Sequence, residues 1–95
     1  MESDKAVKFD LQPAEGIRWL RNLDEVIIIN GDLSKRWVLQ EIEADVWEWL
    51  WQEFSQQSII KMIALMNSST KIQSLQLLNE LSTKWEKQGL IRRTN

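Results

Sequence analysis

Cysteine, histidine and tyrosine are absent from this 95-residue chain, which has only three glycines and one proline. Without cysteine there is no disulfide framework, thiolate nucleophile or zinc–thiolate site, which fits a reducing cytoplasm. Without histidine the chain lacks the commonest general base and the commonest metal ligand. The glycines do not cluster into a phosphate-cradling loop. Asp24, Glu25, Glu41 and Glu43 lie close in sequence, but nothing in their spacing marks a shared pocket. These absences point away from independent catalysis, and no cofactor or metal is implied. Positive charge is scarce too. The formal net charge is −2, whereas phosphate contacts dominate the affinity of nucleic-acid binders. No apolar run nears bilayer length, and no signal-peptide core follows the polar start Met1-Glu2-Ser3-Asp4-Lys5. The expectation is a soluble, cytoplasmic protein with neither a membrane nor a nucleic-acid partner.

Tryptophan is what the chain does have. Six tryptophans and two phenylalanines supply all its aromatic side chains. Tryptophan is thus the main large core filler, and one modest core is not expected to hide all six. Residues 1–12 are polar, weakly patterned and read as a flexible N-terminal arm. Val7, Phe9 and Leu11 alternate, the pattern of an edge strand that forms on docking. Residues 17–20 suit a first strand, and Arg21-Asn22-Leu23-Asp24 carries turn residues. Val26-Ile27-Ile28-Ile29 is the most β-prone run, and its continuity predicts a central strand covered on both faces. Asn30-Gly31 signals a hairpin, since both residues tolerate the positive φ of a type I′ turn. Residues 33–39 return as the third strand. Leu33, Lys35, Trp37 and Leu39 face one way, and Ser34, Arg36 and Val38 the other.

A first helix is expected over residues 42–54, with Val46, Trp47, Leu50 and Phe54 as its inner stripe. Trp49 and Trp51 stand about 200° apart around that helix and cannot share the stripe. They are candidates for a partner interface, the alternative being cover from the second helix or the N-terminal arm. Ser55 or Ser58 is placed to cap a short helix holding Ile59, Ile60, Met62, Ile63, Leu65 and Met66. Asn67-Ser68-Ser69-Thr70 reads as a loop. A third helix follows over residues 71–88 and ends at Gly89. Leu90-Ile91 is apolar enough to fold back on the core, and residues 92–95 read as a solvated tail. The domain proper is expected over residues 13–91.

This order is α+β and winged helix-turn-helix-like: a three-stranded antiparallel sheet followed by three helices. Within it, Leu39, Gln40, Glu41, Val46 and Trp47 resemble the signature of the PqqD-like family. There, a strand-ending Leu precedes a polar residue, a Glu and a short spacer, and a branched apolar residue with Trp opens the first helix. Leu78, Leu81, Trp85 and Gly89-Leu90 resemble the closing helix of that family and its Gly-Leu exit. The similarity extends over residues 7–91. Many relatives carry an Asp-Gly turn after the first helix, where this chain has residues 52–57, so a loop of different shape is expected. PqqD-like domains are recognition elements for ribosomally synthesised, post-translationally modified peptides. They hold the leader part of a precursor as an extra strand beside the third strand, against the third helix. They then present the core to a separate maturase, often a radical S-adenosylmethionine (radical SAM) enzyme. The resemblance implies a non-catalytic adaptor here, with a precursor leader peptide and a radical SAM modifying enzyme as partners.

The groove it implies has a strand wall of Lys35, Arg36, Trp37, Val38 and Leu39 and a helix wall of Lys71, Ile72, Leu75, Gln76 and Asn79. Ile72 and Leu75 would receive apolar leader side chains, and Lys35, Arg36 or Lys71 would pair an acidic one. Trp37 and Leu39 suit sheet-to-helix core better than direct ligand contact, Ile72 and Leu75 also suit ordinary core, and the three cations are of a kind that is solvated surface in most proteins. The apolar residues of the third helix nevertheless spread over more than half its circumference, wider than one packed surface needs. Two other functions fit the fold class: a winged-helix DNA-binding protein and a structural subunit of an enzyme complex. For the first, Lys71, Lys84 and Lys87, balanced by Glu80 and Glu86, make a poor phosphate-facing array. Open sheet edges leave a homodimer open.

Overall fold

A computed structural model of the chain describes residues 11–31, 35–52 and 54–93. Strands β1 (Leu11–Pro13), β2 (Ile17–Asn22), β3 (Glu25–Asn30) and β4 (Lys35–Gln40) precede three helices, α1 (Ile42–Trp51), α2 (Gln56–Asn67) and α3 (Lys71–Lys87). β5 (Ile91–Arg93) follows. β2, β3 and β4 form an antiparallel meander in that order, and β1 pairs with β5 in a separate ribbon. The meander followed by three helices is the α+β, winged-helix-like order expected from the sequence.

Alternation along the strands gives the meander two unlike faces. Val26, Ile28, Asn30 and Leu39 are buried on the helix side, with Trp19 and Trp37 half-buried beside them. On the opposite side Leu20, Ile29 and Val38 are 54%, 44% and 44% exposed. The isoleucine run is therefore not covered on both faces. β3 is central in the hydrogen-bonding direction, but among the described residues no helix lies over the outer side. Continuous apolar runs mark two-sided burial when crossover helices flank both faces. In a meander joined by hairpins, none do.

The turns also differ from expectation. Asn30-Gly31 makes no two-residue turn, because Asn30 is buried and paired with Lys35. The connection takes residues 31–34, of which 32–34 lie outside the described residues, as does the expected strand start at Leu33. The tight hairpin turn is Leu23-Asp24, between paired Asn22 and Glu25, with Leu23 at φ 57°. Arg21 Nε donates to the Leu23 carbonyl at 2.7 Å. Its guanidinium also bonds Asp45 at 3.0 Å and Glu48 at 3.2 Å on α1. β2 runs on through Arg21 and Asn22, where a turn was expected, because Arg21 faces the helices and is held by them.

Each helix start has a local cause. Ser55 caps α2 by accepting from Ser58 N at 3.1 Å. Thr70 and Gln73 form a reciprocal capping box on α3. α1 has no side-chain cap, but Glu43 and Asp45 in its first turn favour the positive end of the helix. α1 stops at Trp51, so Phe54 is not part of its inner stripe and is exposed. The residues that α1 buries are Ala44, Val46, Trp47 and Leu50. α2 buries only Ile59 and Ile63, leaving Leu65 and Met66 exposed. α3 buries Ser74, Leu78, Leu81, Ser82 and Trp85.

Trp47 is the hub of the core. Its ring meets Trp19 of β2 at 6.3 Å, Trp51 of α1 at 5.2 Å and Trp85 of α3 at 5.2 Å, all edge-to-face. The quadrupoles of aromatic rings favour this arrangement. The buried indole N–H groups of Trp47, Trp51 and Trp85 have no hydrogen-bond partner among the described residues. Packing and ring electrostatics therefore hold the cluster. All six tryptophans are accommodated: Trp47 and Trp85 are buried, Trp19, Trp37, Trp49 and Trp51 are half-buried, and none is exposed.

The two ends of the domain pair with each other. Gly89, at φ 77°, turns the chain out of α3. Leu90 and Ile91 then fold onto the core, as expected. Ile91 pairs with Pro13 and Arg93 with Leu11, and Ala14 N donates to Leu90 O at 3.0 Å. Leu11 and Gln12 thus belong to a strand rather than a loose arm. Arg92 and Arg93 likewise belong to a strand rather than a solvated tail. Residues 1–10 and 94–95 lie outside the described residues.

Trp47→Ala is expected to lower stability by about 3–5 kcal/mol, the range for deleting a buried aromatic. Leu11→Ala is expected to lower it by about 2 kcal/mol or more. Urea unfolding followed by circular dichroism measures both. A Leu11→Ala protein with unchanged stability would place the ribbon outside the cooperative domain.

Candidate functional site

β4 is bonded to β3 on one side and, among the described residues, has no strand partner on the other. Its outer edge therefore offers backbone donors and acceptors to an added strand. The side chains of the expected strand wall divide by alternation. Lys35, Arg36 and Val38 are exposed, Trp37 is half-buried, and Leu39 is buried. Trp37 and Leu39 face the helices opposite Ile28 and Val26 of β3, while Arg36 and Val38 face outward opposite Ile29 and Ile27. Leu39 accordingly serves the core with its side chain and reaches the edge only through its backbone.

The expected helix wall lies on α3. Ile72, Leu75, Gln76 and Asn79 stand at i, i+3, i+4 and i+7, so they share one face, and Lys71 adjoins Leu75 one turn away. All five are exposed, Ile72 by 72% and Leu75 by 37%. This face lies away from the buried stripe of Ser74, Leu78, Leu81 and Trp85. A shallow groove of about 570 Å³ continues from Asn79 along Glu80, Thr83, Lys84, Lys87 and Gln88. In the sequence Glu80, Lys84 and Lys87 stand out only as part of a poor phosphate-facing array, and Thr83 and Gln88 not at all. They are polar and exposed, and carry no periodic signal that sets them apart from ordinary helix surface.

β4 and α3 are linked through the start of α1. β4 passes through Gln40 and Glu41 directly into α1. Lys84 of α3 is ion-paired with Glu43 of α1, with Nζ at 3.2 and 3.4 Å from its two carboxylate oxygens. From that point Ile72 lies about 18 Å back along α3, and Lys35 about 17 Å back along β4. Away from the junction the two diverge in their packing: β4 packs on β3 and α1, and α3 on α2 and β5.

Charge around the junction is distributed unevenly. Arg21 and Lys84 neutralise Asp45, Glu48 and Glu43 on α1. Lys35, Arg36 and Lys71 are exposed and make no ion pair with a described residue. All three are available to an acidic guest. Trp49 and Trp51 do not stand off the core. Both are half-buried and packed against it, with Trp51 set edge-on to Trp47. Among the described residues no three acidic side chains are placed to hold a metal ion, and no helix is long and apolar enough to cross a membrane.

Comparison with known proteins shows the fold. No family model matches the chain, and no curated protein matches it. Among solved structures the chain is similar to one described as TbiB1 in complex with the TbiA(beta) leader peptide. The TM-score is 0.78 at 14% sequence identity, over 85% of this chain and 94% of that one.

Exposure separates the wall residues by their role in the fold. Arg36→Glu and Ile72→Asp are expected to leave stability within about 0.5 kcal/mol of the parent. Leu39→Ala is expected to remove about 2–5 kcal/mol. The three urea midpoints measure this, and an Arg36→Glu protein as damaged as Leu39→Ala would show that Arg36 is structural.

Proposed function

We propose that the chain is a non-catalytic peptide-recognition element. It takes the leader region of a ribosomally synthesised precursor peptide as an added strand on β4 and presents it to a separate modifying enzyme of the radical SAM type. The observation that carries the reading is the edge of β4, which has no strand partner among the described residues, in a fold shared with a protein described in complex with a leader peptide. The resemblance to PqqD-like domains in residues 39–47 and 78–90 supports the same function.

In this mechanism the leader supplies backbone N–H and C=O groups to β4, which gives affinity and extended geometry but little selectivity. Selectivity comes from side chains. Val38 beside the edge and Ile72 and Leu75 on α3 contact apolar leader residues, with Gln76 and Asn79 as polar neighbours. Lys35, Arg36 or Lys71 pairs an acidic one. An exposed ion pair contributes about 1 kcal/mol or less, whereas a fully buried apolar side chain contributes about 1.5–3 kcal/mol. Apolar anchoring therefore dominates, and binding depends only weakly on salt. Trp49 and Trp51, at the end of α1, are the proposed contact for the modifying enzyme. Half-burial does not exclude this, because a partner covers what remains exposed. No observation favours DNA as the guest, since one of the α3 lysines, Lys84, is already engaged with Glu43.

Calorimetric titration with the leader peptide encoded beside this gene tests the reading. Submicromolar to low-micromolar binding is expected. The double substitution Arg36→Glu with Leu75→Asp is expected to weaken it at least tenfold while the domain stays folded. A leader N-methylated at alternate residues, unable to donate along one edge, is expected to bind at least tenfold more weakly. Undiminished binding of that peptide would dismiss strand addition. Undiminished binding by the folded double variant would dismiss this placement of the groove.

A further inference from the structure

The outer face of the meander is an ordered patch that the peptide groove meets only at its β4 margin, through Arg36 and Val38. The strand register arranges it in three rows. Asn22, Glu25 and Gln40 form the first, Leu20, Ile27 and Val38 the second, and Arg18, Ile29 and Arg36 the third. Leu20, Ile29 and Val38 are exposed and Ile27 is half-buried, so an apolar centre is open to solvent. The ends carry opposite charge. Arg18 and Arg36 flank Ile29 at one end, and neither makes an ion pair with a described residue. At the other end Asp24, Glu25 and Glu41 join Asn22, Leu23 and Gln40 around a cleft of about 320 Å³.

We propose that this face is the contact between two copies of the chain, stacked sheet on sheet about a two-fold axis. The charge order selects both the occupant and the axis. An axis running across the strands through the row of Leu20, Ile27 and Val38 reverses the second copy. Arg18 and Arg36 of each copy then lie over the acidic end of the other, and the apolar row meets itself. An axis along the strands would lay arginine on arginine. A contact between copies is self-complementary by symmetry, and this face meets that condition. Leu23, almost fully exposed at the turn, falls beside Ile29 of the second copy.

The contact is small. Three strands are about 14 Å wide and the three rows about 14 Å long, well under the ~800 Å² per partner of a stable complex. The dimer is therefore weak and salt-sensitive. It uses a face rather than an edge, so β4 stays open to a guest strand, unlike a dimer joined through strand edges.

Sedimentation equilibrium of the full chain from about 10 µM to about 1 mM tests this. The average mass is expected to rise toward that of a dimer, less at about 500 mM salt than at about 50 mM. Leu20→Asp and, separately, Val38→Asp are expected to weaken association at least tenfold, with circular dichroism confirming the fold. Arg18→Glu with Arg36→Glu is expected to abolish self-association but to restore pairing when mixed with Glu25→Arg. A folded parent that stays monomeric at about 1 mM overturns the proposal and assigns the patch to another occupant. A dimer unaffected by Leu20→Asp overturns it in favour of edge pairing.

Discussion

Trp47 ties the sheet, its own helix and the last helix to one another. Its ring is held edge-on by one tryptophan from the sheet, one from its own helix and one from the last helix. Those three contacts set how far the sheet stands from α3. A smaller residue there would let the layers approach or slide. A strand seated between β4 and α3 would depend on that spacing, so the packing of one side chain and the width of the proposed groove are linked. No hydrogen bond to a described residue restrains the buried indoles, so shape complementarity carries the whole constraint. Interiors packed to crystal density respond to the loss of such a group by shifting or by leaving a void.

The meander does three jobs with three parts of its surface. Its inner face, from Trp19 to Leu39, completes the core. Its β4 edge has no strand partner among the described residues. Its outer face keeps an apolar centre between basic and acidic ends. Strand geometry keeps these parts distinct by sending alternate side chains to opposite faces and backbone groups sideways, and only Arg36 and Val38 stand at the margin of both the edge and the outer face. Ion pairs reinforce the arrangement at two points. Arg21 fixes the β2–β3 turn to α1, and Lys84 fixes α3 to the start of α1. Both bring the acidic stretch of α1 under control and leave the cations near β4 and the start of α3 unengaged.

Legibility in the sequence tracked the length and strength of each local pattern. The three helices were readable because Val46, Trp47 and Leu50 and then Leu78, Leu81 and Trp85 repeat at helical spacing, and because Ser55 and Thr70 are strong caps. The β1–β5 ribbon was not, since strands of three residues have no period to detect and Leu11 pairs with a residue far along the chain. Asn30-Gly31 misled because turn propensity was weighed without register. The buried Asn30 continues the ladder, and the tight turn fell on Leu23, a residue with poor turn propensity that Arg21 holds in place. The exposure of Ile29 was hidden because a continuous apolar run reads alike whether one face or two are covered. Of the candidate site, the alternation of β4 followed from periodicity, whereas the choice of Ile72, Leu75, Gln76 and Asn79 as a wall rests on the resemblance to PqqD-like domains. The groove beyond Asn79 did not, as its polar residues look like any solvated helix surface. Nor did the burial of Trp49 and Trp51, which depends on neighbours distant in sequence.

The pairing of Leu11 with Arg93 has a topological consequence. Opposed residues in an antiparallel ladder stand about 5 Å apart, so the described chain enters and leaves the domain at one spot. A short linker across that gap would permit circular permutation, with new ends cut at the protruding Leu23-Asp24 corner. By the same geometry the unit can be spliced into a surface loop of a larger polypeptide as a self-contained cassette.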